Sequence, residues 1–74
     1  MADALVGVSA DEIRRLREGL GLTRVEFAEM YRLPVGTVKN WEQGVSLPDQ
    51  AGRNFLTLLS RDAEWVGYLL KTPT

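Results

Sequence analysis

Two helix starts of the same kind stand close together near the front of this 74-residue chain. Ser9 is followed three residues later by Glu12, and Thr23 is followed three residues later by Glu26. At that spacing the hydroxyl and the carboxylate each accept from an orphan backbone N–H at the helix start, so the two side chains cap the helix reciprocally. The stops are as frequent as the starts. Gly19 with Gly21 ends the first helix, Pro34 suits the first turn of a third, and Gly44 suits the position just past its end. A chain punctuated this often can form only short helices joined by tight turns.

The apolar pattern fills in those helices. Ile13, Leu16 and Leu20 repeat at helical spacing in the first, while Arg14, Arg15 and Glu18 fall on other faces. The second carries Phe27, Ala28 and Tyr31 and ends near Arg32; the third runs from Pro34 through Val38 and Trp41. Gly44 to Asp49 reads as a loop, after which Asp49 caps a fourth helix with Ala51, Phe55, Leu56, Leu58 and Leu59. Asp62 caps a fifth, in which Trp65, Val66, Leu69 and Leu70 are apolar before Thr72-Pro73-Thr74. Residues 1–8 carry no helical signal and read as an N-terminal arm expected to be disordered. The expected architecture is all-α, with five short helices and no strand.

Size and composition narrow the function. At 8.3 kDa, with 45% apolar and 26% charged residues, the chain suits one small globular domain. It has no cysteine and no histidine. Disulfides, thiolate metal sites, imidazole bases and the commonest metal ligand are therefore ruled out, and neither metal nor cofactor is expected. Paired carboxylates such as Asp11 with Glu12, or Glu26 with Glu29, are better explained as caps and solvated helix faces than as acid/base machinery, so no enzyme is expected. Apolar runs of two or three residues cannot cross a bilayer, and no basic start precedes an export-type segment, which leads us to expect a soluble, cytoplasmic protein. The net charge of −1 hides an uneven distribution. Residues 14–40 hold six bases against three acids, between acidic flanks.

Two short helices joined by two or three residues around Arg32-Leu33 cannot overlap antiparallel and must cross steeply, which is helix-turn-helix spacing. Periodicity alone suits an arbitrary all-α bundle equally well. The detailed residues favour the first reading. Arg17 to Leu22 (REGLGL), Thr23 to Ala28 (TRVEFA) and Thr37 to Gly44 with Pro48 (TVKNWEQG…P) follow one another in a family order and spacing. On these pieces the stretch Ile13 to Asp62 resembles the Cro/cI-like, or lambda-repressor-like, helix-turn-helix family of bacterial and phage regulators. Its WEQG turn and short tail look most like host-inhibition-of-growth antitoxins and small phage or plasmid autorepressors. The resemblance implies a five-helix lambda-repressor-like bundle, with residues 9–60 as the DNA-binding domain and residues 61–74 as a C-terminal helix that serves dimerisation.

It also implies roles for particular residues. In that family the second helix lies across the phosphate backbone and the third enters the major groove. Arg24 then matches a phosphate-contacting position, its plainer reading being a solvated arginine. Val35, Gly36, Lys39 and Asn40 match groove-facing positions, with Thr37 near the backbone. Asn40 suits adenine, Lys39 guanine or a phosphate, and Val35 a thymine methyl. Gly36 stands where glycine costs about 1 kcal/mol against alanine, which leaves close approach to DNA or simple tolerance as its reason. Phe27, Ala28, Leu33, Val38 and Trp41 match core positions, and Arg17 with Glu42 matches a salt-bridged pair. Arg32 departs from the family pattern, where glycine often supplies positive φ. Either it adopts that conformation with strain, or its charge meets a phosphate.

Tight operator binding by so small a module implies two copies on half-sites about 34 Å apart. The expected homodimer surface is Trp65, Val66, Tyr68, Leu69 and Leu70, against the plainer reading that this helix packs within the molecule. The expected partner is a double-stranded palindromic operator, bound by a repressor at its own operon. The second reading is an antitoxin whose main partner is a toxin protein, with DNA autoregulation secondary.

Overall fold

The computed structural model describes residues 9–71, which form α1 (Ala10–Gly19), α2 (Arg24–Met30), α3 (Val35–Glu42) and α4 (Gln50–Lys71) and, among the described residues, no strand. The arm expected over residues 1–8 lies outside the described residues, as does Thr72-Pro73-Thr74. No helix of the described residues is long and apolar enough to cross a membrane.

Both reciprocal caps form. Ser9 Oγ accepts from the Glu12 N–H at 3.1 Å while the Glu12 carboxylate accepts from the Ser9 N–H at 3.3 Å. The corresponding distances for Thr23 and Glu26 are 3.1 and 2.9 Å. Pro34 sits one place earlier than its sequence reading: it is the residue before α3, with φ −64° and ψ 133°, and its ring-fixed φ suits that extended cap as well as a first turn. Asp49 begins α4 through Oδ1, which accepts from the Gly52 N–H at 2.8 Å.

The first three helices end alike. In each, a six-residue closure runs back to the last full turn, from Leu22 N–H to the Arg17 carbonyl (3.4 Å), from Leu33 N–H to that of Ala28 (2.8 Å) and from Val45 N–H to that of Asn40 (2.9 Å). A shorter bond nests inside each closure, donated by Gly21, Arg32 and Gly44 respectively. The motif needs one left-handed residue just past the helix, and these three supply it at φ 75°, 59° and 74°. That is why α2 stops at Met30, short of Arg32.

Four helices replace the expected five. At Asp62 the backbone leaves the helical region for one residue (φ −155°, ψ 77°), and Asp62 Oδ1 accepts from the Trp65 N–H at 3.1 Å. The expected cap therefore exists, but no loop residue accompanies it. The two segments are one bent element, kinked where a side chain competes with the helical ladder.

Every helix contributes its apolar face to one core. Ile13 comes from α1, Phe27, Ala28 and the following Tyr31 from α2, Val38 and Trp41 from α3, and Leu56 and Leu59 from α4. Leu16, Leu22, Leu33, Phe55, Ala63, Val66 and Leu70 pack around them. The start of α4 presses close to α3: a Cβ at Gly52 would stand 3.1 Å from Pro48 Cβ and 3.3 Å from Trp41 Cζ2. That contact holds α3 from beneath and leaves its other side outward.

Candidate nucleic-acid interface

Eight residues make α3, and their burial splits by face. Val38, Trp41 and Glu42 point inward, while Val35, Gly36, Lys39 and Asn40 are exposed and Thr37 is half-buried. Positions 35, 36, 39 and 40 share a helix face because three or four residues complete one turn. The outward strip thus carries a small apolar side chain, bare backbone, a cation and an amide. A Cβ at Gly36 would meet nothing within 4 Å, so the protein's own packing does not require glycine there.

Behind the strip lies a buried ion-pair network. Glu42, with a side chain only 1% exposed, receives Arg17 in two parallel bonds, Nε to Oε2 at 2.7 Å and Nη2 to Oε1 at 3.0 Å. Arg17 Nη1 also donates to the Leu22 carbonyl at 2.9 Å, and Arg24 Nε reaches Glu42 Oε1 at 3.3 Å. One carboxylate therefore joins α1, α2 and α3. Burial pushes the Glu42 pKa up, but the hydrogen bond and charge of Arg17, with Arg24 behind them, outweigh it and hold the carboxyl below its ordinary range. The hydrogen bond to Glu42 raises the Arg17 pKa in turn, against the opposing effect of burial.

Arg24 is divided between two environments. Its side chain is 35% exposed, and only its Nε has a hydrogen-bond partner among the described residues. Among the described residues both terminal amino groups stay open, at the first turn of α2, where a helix N-terminus also favours an anion. Arg32 is committed elsewhere: its guanidinium donates to the Leu70 carbonyl at 2.8 Å, at the far end of α4. Next to it, Tyr31 donates its hydroxyl to the Ala63 carbonyl at 3.3 Å, and burial pushes the phenol pKa up.

The five apolar residues near the end of α4 fall on two sides. Val66 and Leu70 pack against the core, whereas Trp65, Tyr68 and Leu69 are more than half exposed, with the Trp65 and Tyr68 rings stacked at 5.4 Å.

With this geometry in place, comparison with known proteins decides the family. Residues 13–51, just over half the chain, match the family model described as Helix-turn-helix. The chain belongs to the Cro/cI-like helix-turn-helix family, of the XRE type. It is 41% identical to the crystal structure of an HTH XRE-family like protein from Agrobacterium tumefaciens, with a TM-score of 0.77 over 78% of this chain and 94% of that one. It is also 33% identical over 64 residues to Antitoxin HigA-2 of Vibrio cholerae serotype O1, covering 86% of this chain and 62% of that relative's length. Membership of that family makes the chain a helix-turn-helix regulator of the DNA-binding class.

The segments α2, the turn at Arg32 and α3 form the helix-turn-helix, and the structure brings Val35, Gly36, Lys39 and Asn40 onto one open face of it. Arg24 is joined to α3 through Glu42, while Arg32 donates to the far end of α4. Two features escape sequence reasoning. Nothing in the spacing announces that Arg24 joins the Arg17–Glu42 pair. Gly67 is buried against Tyr31, 3.6 Å from the ring for a Cβ placed there, and its only signal is a glycine inside an apolar helical pattern.

Proposed function

We propose that this chain is a sequence-specific transcriptional regulator that lays α3 in the major groove and acts as a repressor of its own operon. The observation that carries the reading is the outward strip Val35, Gly36, Lys39 and Asn40 on the third helix of a family-matched helix-turn-helix, backed by a buried ion-pair network that holds its orientation. Asn40 pairs with an adenine edge, Lys39 reaches guanine or a phosphate, Val35 touches a thymine methyl, and Gly36 lets the backbone come close. Thr37 and the open amino groups of Arg24 hold phosphates. Arg32 is left out of this contact set because the Leu70 carbonyl already holds it.

With so few base-reading groups on one module, two copies on a palindromic operator supply the specificity, placed at half-sites about 34 Å apart. The exposed Trp65, Tyr68 and Leu69 give that homodimer its surface, with Val66 and Leu70 supporting it from the core side. Such a protein works in the cytoplasm, where the DNA is.

The likeness to an antitoxin favours a second reading, in which a toxin protein is the main partner and DNA autoregulation is secondary. A mobility shift of the protein on its own upstream DNA, against random DNA at about 150 mM salt, separates the two. A specific, cooperative shift over a palindrome supports the operator-binding dimer. Binding no tighter than to random DNA overturns it and leaves the protein partner as the function.

A further inference from the structure

Three contacts run from the end of α2 to the distal segment of α4, and they fall on three successive turns. Tyr31 Oη donates to the Ala63 carbonyl at 3.3 Å, the Tyr31 ring lies against the bare backbone of Gly67, and Arg32 donates to the Leu70 carbonyl at 2.8 Å. Residues 63, 67 and 70 share one helix face at that spacing. Trp65, Tyr68 and Leu69 occupy the other side of the same segment and are exposed. The last contact is chemically the strongest. Carbonyls in a helix's final turn lack intrahelical donors and carry its negative end, so a guanidinium there is both partner and counter-charge.

Arg32 holds this position from an unfavourable backbone conformation. Its φ of 59° closes the turn after α2, the task that Gly21 and Gly44 perform after α1 and α3. A glycine would meet the backbone requirement at position 32 more easily, but it would supply no donor to α4.

We propose that Arg32 is a positioning residue: its guanidinium clasps the end of α4 and so sets the Trp65, Tyr68 and Leu69 surface relative to the DNA-reading turn. The same residue forms the turn between α2 and α3 and holds the helix that bears the partner surface. A change at either place is thereby felt at the other. The functional side of this inference rests on the operator-binding dimer proposed above; the clasp itself does not.

Backbone amide exchange, followed residue by residue in the full chain, tests it in wild type, Arg32→Gly and Arg32→Lys. In Arg32→Gly the amides after Asp62 exchange about three- to tenfold faster, while those of α2 and α3 keep their protection because the turn is relieved of strain. Arg32→Lys, with a single-point donor of the same charge, falls between the two. The Trp65 indole resonance moves in Arg32→Gly and that of Trp41 does not. On DNA, Arg32→Gly loses more affinity for a full palindrome than for an isolated half-site. Wild-type exchange rates after Asp62 in Arg32→Gly, or equal acceleration throughout the chain, overturn the clasp. A loosened segment with an unchanged ratio of full-site to half-site affinity overturns the link to the partner surface. Should the wild type bind no specific DNA, the operator reading fails on its own, and the exchange rates still decide the clasp.

Discussion

The exits of α1 and α2 solve one backbone problem with different residues. At the exit of α1, Gly21 supplies the left-handed turn and a separate residue, Arg17, ties it down through the Leu22 carbonyl at 2.9 Å. At the exit of α2, Arg32 is both the left-handed residue and the tie. A side chain in that conformation costs roughly 1–2 kcal/mol that glycine avoids. The reach differs accordingly: Arg17 holds a carbonyl five residues away, Arg32 one that is 38 residues away. Glycine marks a turn whose task is geometry alone. A long cation in the same place marks a turn with a distant partner.

The comparison breaks or sharpens most visibly at the buried pair. Glu42→Ala leaves the mostly buried Arg17 guanidinium without the carboxylate that takes two of its bonds, and is expected to cost about 3–5 kcal/mol in denaturant unfolding, far more than any change at Arg32. A loss below about 1 kcal/mol would show that the Arg17–Glu42 pair contributes no more than a surface pair. The same carboxylate sets an acid limb. Because its folded pKa is depressed, the stability it contributes is fully present above the ordinary unfolded value and drains away as pH falls through the lower folded value. Glu42→Gln should flatten that limb; an unchanged slope in acid unfolding would assign it to other carboxylates.

Smaller effects separate backbone from side chain. Gly21→Ala is expected to cost roughly 1–2 kcal/mol, all of it conformational, because a Cβ there meets nothing within 4 Å. Arg32→Gly and Arg32→Ala remove the same clasp but differ in strain, so glycine should be the more stable by about 1 kcal/mol in paired thermal or denaturant melts. Equal stability would mean that the left-handed turn at 32 is unstrained. Against wild type, Arg32→Gly should be near neutral or slightly stabilising, relief of the turn offsetting the lost bond. Arg24→Ala is expected to cost the fold no more than about 1 kcal/mol. On DNA it should weaken all sequences alike and lower the salt slope by about one. A changed sequence preference with an unaltered slope would remove Arg24 from the phosphate contacts.

What was legible in the sequence is what is local. Ser9 with Glu12, Thr23 with Glu26, Asp49, and the turn glycines Gly21 and Gly44 act within a few residues of themselves, and each appears in the structure where the spacing puts it. Asp62 shows the limit: its cap bond is local and forms, but whether one non-helical residue separates two helices or bends one depends on how Ala63, Val66 and Leu70 pack on the core. The apolar surplus of the last helix was equally readable, yet only the fold divides Val66 and Leu70 from Trp65, Tyr68 and Leu69. On the outward side of α3, the exposed strip follows from the family motif, whereas the engagement of Arg24 with Glu42 does not. Long cations reach water or a distant carboxylate with equal ease until a fold brings the carboxylate near.

The two tryptophans stand at opposite extremes, Trp41 7% exposed on the inner face of α3 and Trp65 55% exposed on the outer side of α4. They act as a pair of built-in optical reporters. The emission of the buried Trp41 indole is expected to shift red when the core opens. That of the exposed Trp65 is expected to shift blue when another molecule covers it. Titrating DNA or a second protein against the two single-tryptophan variants would therefore resolve unfolding from docking, one process in each variant's spectrum, without a label attached to either helix.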